Sequence, residues 1–250
     1  MNKTARICIL MVLCMQTFGS AFAEPEPEIQ LKELADGVWM HVSSYVYPDG
    51  KTLSSNGLIV KDGVELTLVD TAWGELKTVA LIKAIKLEID LPITRAVVTH
   101  AHSDRAAGVD VLESHGVKVF SHPLTQRITI EHGLPVPSHA LDALAERGAS
   151  IKLGKLTVFY PGPAHAMDNL MVWLPEEKIL FGGCAVRSGA STSAGNTSHG
   201  DKASWIKVMN RVGKQYHSAT LVIPGHGEPG GIDLIEHTSD LVKAASDTRT

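Results

Sequence analysis

A largely β-branched, apolar run, Ile93–Val98, leads directly into Thr99-His100-Ala101-His102-Ser103-Asp104-Arg105. In an extended segment alternate side chains point to one side, so His100, His102 and Asp104 can converge on one point. A stray His-x-His is common on protein surfaces. A carboxylate two residues further on, at the carboxyl end of a buried strand, turns the pattern toward a metal site. Such a site constrains the fold, because the missing ligands have to arrive from other strand ends at the same edge. Three candidates have that context: His165 in Pro161-Gly-Pro-Ala-His165, Cys184 in Phe181-Gly-Gly-Cys184, and His226 in Ile223-Pro-Gly-His226-Gly227. Strand ends at one edge of a layered sheet meet in space. Gly182, Gly183, Gly225 and Gly227 allow tight turns beside these ligands. His41, His115, His122, His132, His139, His199, His217 and His237 lack this punctuation and read as surface or core histidines.

The remaining pattern predicts sheets covered by helices. Strands are expected at 37–42, 57–60, 64–69, 117–121, 151–153, 156–160, 169–174, 179–182 and 220–223. Residues 75–86, 107–114, 123–131, 139–147, 203–215 and 233–245 read as helices, and 43–56 as a mobile surface loop with Tyr45, Val46 and Tyr47 near its tip. Early hairpins followed by strand-helix alternation imply an α/β layered fold, with no linker dividing residues 24–250.

Lys3 and Arg6, an apolar stretch from Ile7 to Met15, and Ala21-Phe22-Ala23 form the pattern of a cleaved secretory signal over residues 1–23. The apolar stretch is too short to span a bilayer. Removal of Lys3 and Arg6 makes a chain of net charge −4 still more acidic, and its basic residues are scattered, which argues against nucleic acid as a partner. Cys8 and Cys14 leave with the signal, so Cys184 is left as a single thiol bound for an oxidising compartment. Alone it would read as an inert buried cysteine. Beside five other candidate ligands it reads as a thiolate donor. Six donors exceed a closed four-ligand zinc site and divide into two sets of three, each leaving a position for water. The thiolate argues against magnesium or calcium and leaves iron or manganese as alternatives to zinc.

These residues, in this order, resemble the metallo-β-lactamase superfamily, and within it the class B β-lactamases of the dizinc, cysteine-containing subclass. The resemblance spans nearly all of residues 24–250, through Leu68-Val-Asp70-Thr-Ala-Trp-Gly74, His100-Ala-His-Ser-Asp-Arg105, His165-Ala-Met-Asp-Asn169, Gly182-Gly-Cys184 and Pro224-Gly-His-Gly227. Arg105 and Cys184 stand where other hydrolases of the superfamily usually carry histidine and a bridging aspartate. The segments around Tyr160, residues 192–196 and residues 222–231 look nearest to the Verona-type carbapenemases.

The resemblance implies a four-layer αββα sandwich that is monomeric and periplasmic. It implies two zinc ions, one on His100, His102 and His165, the other on Asp104, Cys184 and His226. It further implies hydrolysis of penicillins, cephalosporins and carbapenems, and so β-lactam resistance. Hydroxide supplied by zinc, with a water pKa lowered to about 7, would attack the carbonyl while the second zinc stabilises the leaving nitrogen. Asp104 would orient the nucleophile, Asn196 would donate to the oxyanion, and Arg187 would bind the substrate carboxylate. Tyr45, Val46 and Tyr47 would form an apolar cover, and Asp70 and Arg105 would support the ligand loop from behind. Two other readings are a thioesterase or lactonase of the same superfamily, which a substrate panel separates, and a non-enzymatic zinc-binding protein, which would hold metal without hydrolysis.

Overall fold

The computed structural model describes residues 28–247. The expected signal segment at 1–23 lies outside the described residues. None of the described helices is long and apolar enough to cross a membrane.

Twelve strands form two sheets. The first runs in chain order through β1 (Ile29–Ala35), β2 (Val38–Val46), β3 (Thr52–Asp62), β4 (Glu65–Val69), β5 (Ile93–Val98), β6 (Lys118–Ser121) and β7 (His139–Ala140). Its first four strands are antiparallel, and from β4 onward neighbours are parallel. The parallel connections carry α1 (Glu75–Glu88), the short α2 (Ser103–Ala106) with α3 (Val109–Ser114), and α4 (Pro123–Glu131). The second sheet is an antiparallel meander of β8 (Ser150–Leu153), β9 (Leu156–Phe159), β10 (Met171–Leu174) and β11 (Ile179–Gly183). It is closed by β12 (Leu221–Pro224), which pairs parallel to β11 after the crossover helix α5 (Lys202–Gln215) and is followed by α6 (Asp233–Asp247).

Three apolar clusters define four layers. Met40, Leu58, Val69 and Val97 from the first sheet meet Val158, Val172, Phe181 and Ile223 from the second. On the outer face of the first sheet Leu81, Ile85, Val109 and Leu112 cover Ile59, Leu68, Ala96 and Val98. On the opposite outer face Trp205, Val208, Met209, Ile235 and Val242 cover Met171, Leu180 and Val222. The αββα sandwich expected from the sequence is therefore the observed architecture.

Several local expectations are corrected. Residues 43–56 are not a loop: β2 and β3 pair in register from Val38–Val60 to Val46–Thr52, so only residues 47–51 turn. Polar Ser43, Ser54 and Ser55 hid the period, because their hydroxyls serve the site end of the sheet rather than solvent. Residues 139–147 are not a helix. They are the two-residue β7 and a 3₁₀ turn, Asp142–Leu144, in which Leu144 is buried. β1 was missed because none of its residues is fully buried, as suits an edge strand. The helix expected at 75–86 forms, but it buries Thr78, Leu81 and Ile85 and leaves Leu76 and Val79 exposed. Thr78 faces inward because its hydroxyl bonds the carbonyls of Gly74 and Ala72, and Gly108 leaves room for it.

Candidate metal centre

All six candidate ligands come together at one edge of the sandwich. β5 ends at Val98 and delivers His100, after which α2 carries Asp104 and Arg105. The segments after β9, β11 and β12 deliver His165, Cys184 and His226. Backbone bonds tie these segments together: Leu170 N donates to Thr99 O (2.8 Å), Gly225 N to Gly183 O (2.7 Å), and Asn56 N to Gly225 O (2.9 Å). Asn56 adds two side-chain bonds from Nδ2, to Pro224 O at 2.9 Å and Gly227 O at 2.7 Å. Sequence reasoning missed Asn56 because it lay in the supposed loop; paired on β3, it is a clamp between the two sheets.

The donors form two adjoining sets. His102 Nδ1 lies 3.0 Å from His100 Nε2 and 3.1 Å from His165 Nε2. Cys184 Sγ lies 3.5 Å from Asp104 Oδ2 and 3.3 Å from His226 Nε2, and the last two atoms are 3.4 Å apart. A tetrahedron with metal bonds of about 2.0 to 2.3 Å has edges of roughly 3.3 to 3.7 Å. The second set matches those edges, and the first is only a few tenths of an ångström tighter. The ligand atom of His100 is also within 4.8 Å of those of Asp104 and Cys184, so the two sets share a border. Nitrogen, carboxylate and sulfur donors converging without intervening protein groups fit transition-metal ions.

For the four histidines and Asp104 the electrostatics favour the metal-binding forms, whereas for Cys184 they favour the protonated thiol, which has to lose its proton to bind metal. Burial holds His102 and His226 down to about 4, and His165 to about 3; it also drives His100 well below the usual histidine value, with His102 and His165 adding to the effect. Their lone pairs are thus free at neutral pH. Burial opposes ionisation of Asp104, but Arg105 and the neighbouring histidines hold it below the usual carboxylate range. Burial pushes the Cys184 thiol up, and Arg105 works against that rise.

Arg105 is the hub behind the ligands. It is fully buried, with Nη1 3.3 Å from Asp70 Oδ2, Nε 2.9 Å from Asp104 Oδ2, and Nη2 bonded to Cys184 Sγ (3.1 Å) and Gly225 O (2.7 Å). Nη1 also donates to Asn56 O. Asp70, at the end of β4 in a left-handed conformation with φ 63°, accepts from Thr99 N at 2.7 Å and Thr99 Oγ1 at 2.9 Å. It therefore fixes the residue that precedes His100. Burial lifts its carboxyl to about 6 in spite of Arg105. Gly225 is needed for close approach: a Cβ there would lie 2.6 Å from Cys184 N and Sγ and 2.7 Å from Arg105 Nη2.

Four of the donors, His102, Asp104, His165 and His226, line a cavity of about 500 Å³, with His100 and Cys184 buried behind them. Arg187, Asn196 and Tyr47 line it, as do Trp73 and Leu53, which sequence reasoning had not assigned. Of the three supposed cover residues only Tyr47 borders the cavity. Tyr45 stacks on Trp73, with centroids 5.1 Å apart, and Val46 is 62% exposed. Asn196 Oδ1 accepts from Ser198 N and Oγ, which leaves the amide nitrogen as its remaining donor. Arg187 is half-buried, its guanidinium packed beside Gly195.

The histidines read as bystanders divide. His41 and His122 are buried, bonded to Val69 O and to Leu124 N respectively, while His115 and His217 are exposed and bond local carbonyls. His132 and His199 instead line the cavity. No local pattern marks them, because only folding carries the end of α4 and the loop after Asn196 to His102.

The profile of the metallo-β-lactamase superfamily matches residues 50–226. A metallo-β-lactamase type 2 of Bacteroides fragilis is 34% identical over 241 residues, covering 96% of both chains. The chain belongs to the class B metallo-β-lactamases. A type 2 enzyme of Bacillus cereus is 36% identical over 217 residues, covering 86% of this chain and 83% of its own. Among solved structures, the metallo-β-lactamase FIM-1 of Pseudomonas aeruginosa, in its mono-zinc form, superposes with a TM-score of 0.84 at 38% identity, covering 90% of this chain and 99% of that one. A metallo-β-lactamase from Hirschia baltica gives 0.83 at 36% identity, with coverage of 86% and 97%. A metallo-β-lactamase needs metal, and the two donor sets at this edge of the sandwich are where this chain can hold it.

Proposed function

We propose that this chain hydrolyses the amide bond of penicillins, cephalosporins and carbapenems and so confers β-lactam resistance, using two zinc ions. One would be held by His100, His102 and His165, and the other by Asp104, Cys184 and His226. The observation that carries this reading is the pair of adjoining donor sets, near tetrahedral edge lengths, opening into one cavity. When bound, zinc supplies polarisation of the amide carbonyl, acidification of water and stabilisation of negative charge on the departing nitrogen.

The chain's own residues do the rest. Asp104, held ionised by Arg105, is a ligand and an acceptor that keeps its alignment without taking a proton at neutral pH. Arg187 on the cavity wall takes the carboxylate that β-lactams carry beside the ring, in a two-pronged pair. The Asn196 amide nitrogen donates to the carbonyl oxygen as charge builds on it. Tyr47, Trp73 and Leu53 give the substrate an apolar wall, and Tyr45 braces Trp73 from behind. Asp70 and Arg105 fix the backbone from which the ligands project.

All donors come from one chain, in keeping with a monomer, and export to the periplasm through residues 1–23 places the enzyme where it meets its substrates. Residues 24–250 act as one domain. Zinc content measured beside nitrocefin and imipenem turnover on the exported protein tests the reading. Two zinc per chain with chelator-sensitive turnover is expected, and zinc-loaded protein that turns over neither compound would sink it.

A further inference from the structure

His102 presents two ring nitrogens to two different neighbourhoods. Nδ1 faces His100 and His165, whereas Nε2 lies 2.9 Å from Nδ1 of His199. His132 stands on the same outer side, its ring 4.7 Å from that of His199 and 5.9 Å from that of His102, centroid to centroid. One ligand atom from each of the three lies within 4.8 Å of the other two.

We propose that His132 and His199, with His102 as the inner wall, form an additional cation site at the mouth of the cavity. It would take an imidazole-seeking divalent transition metal, zinc foremost, and its filling would slow the enzyme.

Tautomers support this choice of ligands. His132 Nδ1 lies 2.8 Å from Ala101 O, and since a carbonyl only accepts, Nδ1 carries the proton and Nε2 keeps its lone pair. With Nδ1 of His102 committed to the inner centre, Nε2 of His102 is the N–H donor and His199 Nδ1 the acceptor. His199 thus has a lone pair directed at the same space. A cation taking these two lone pairs displaces no proton; it trades the His102–His199 hydrogen bond for a metal bond, and water completes the coordination. Both residues are exposed, so their rings can close the last ångström onto an ion.

The surroundings suit it. His102, His132 and His199 also line a second cavity of about 320 Å³ with Met167 and Asp168, and the buried Asp168 Oδ1 has no hydrogen-bond partner. The three rings therefore form a partition between two water-accessible spaces, reachable from either side. Filling the site removes the acceptor that fixes the outer nitrogen of His102, and it takes up space in the cavity that Arg187 also lines. Both effects act against turnover, so zinc above what the inner centre needs becomes inhibitory.

Equilibrium dialysis of the zinc-loaded protein against rising Zn²⁺, with bound metal counted, tests the site in the parent, His132→Ala and His199→Ala. The parent is expected to take one weaker equivalent beyond the zinc that survives dialysis against zinc-free buffer, lost from both variants. The zinc concentration that halves nitrocefin turnover should rise about tenfold or more in each variant, since removing a ligand should cost at least as much affinity as the roughly 10-fold or greater loss on removing a ligand's hydrogen-bonding partner. Identical zinc isotherms in parent and variants overturn the proposal. The zinc retained after dialysis against zinc-free buffer reports separately on the inner centre, so failure of the two-zinc reading is not confused with failure of this one. Circular dichroism identifies a variant that does not fold, and the other then decides the outcome.

Discussion

Replacing Arg105 by alanine gives the sharpest test of how the site is held. Its guanidinium is fully buried and is the cation facing both Asp70, itself fully buried, and Asp104. Its removal leaves at least one interior carboxylate without a counter-charge, a change that costs about 3 to 5 kcal/mol. In a chain of this size each kcal/mol moves the melting temperature by about 2 to 4 °C, so a fall of roughly 6 to 20 °C is expected. The measurement belongs on metal-free protein, where zinc cannot replace the lost charge beside Asp104. Asp70 supplies an internal control. Burial already lifts its carboxyl to about 6 with Arg105 present, so without Arg105 it rises further and holds a proton near neutrality. Protonated, it no longer needs a cation. The difference between parent and variant should therefore widen as pH rises from 6 to 8, since only then must the variant ionise Asp70 in its interior. Urea unfolding at both pH values reads it directly. A variant within about 1 kcal/mol of the parent at pH 8 would refute the reasoning, because a buried charge left unpaired cannot be that inexpensive.

Cys184→Ser replaces a thiolate with a poor zinc donor, and metal content should fall toward one zinc per chain with a sharp loss of turnover; full occupancy and activity would remove Cys184 from the centre. Gly225→Ala places a Cβ against the Cys184 backbone and the Arg105 guanidinium, which cannot move aside cheaply, so a loss of about 1 to 3 kcal/mol and depleted second-site zinc are expected in a thermal melt and metal assay. His41 bears on pH dependence away from the ligands: burial holds it at about 4, so the unfolded chain, near 6.5, binds the extra proton between those values. Its contribution is present above about pH 6.5 and declines as pH falls toward 4, by roughly 2 kcal/mol at pH 5. His41→Asn should lack that part of the acid-side slope in denaturant titrations, and an unchanged slope would show that His41 is not its source.

The centre was legible in the sequence wherever a ligand follows directly on a strand. His100 and Asp104 lie on one short segment, so alternation suggested convergence, although the chain turns into α2 after His102 and Asp104 reaches the centre from that helix and not from an extended strand. His165, Cys184 and His226 were found because each closes a turn marked by glycine or proline after an apolar run. His132 and His199 had no such marker. They are separated by 67 sequence positions, and only the docking of the end of α4 against the loop after Asn196 brings their rings to 4.7 Å.

Local rules failed where tertiary packing replaced the usual reason for a residue's polarity. Serines along β2 and β3 looked like loop because serine usually faces water, yet Ser43 Oγ accepts from Trp73 N and Ser55 Oγ donates to Asp104 O. Likewise Thr78 takes a buried position on α1 while its apolar neighbours Leu76 and Val79 are exposed. Which residues could bind metal, and that strand ends would carry them, followed from residue chemistry and from periods of two and about four, both local properties of the chain. The separation of six donors into two sets, the burial that keeps four imidazoles neutral, and the use of Arg105 as a shared counter-charge came only with the two sheets packed face to face. Those properties depend on distance and on exclusion of water, which no short stretch of sequence contains.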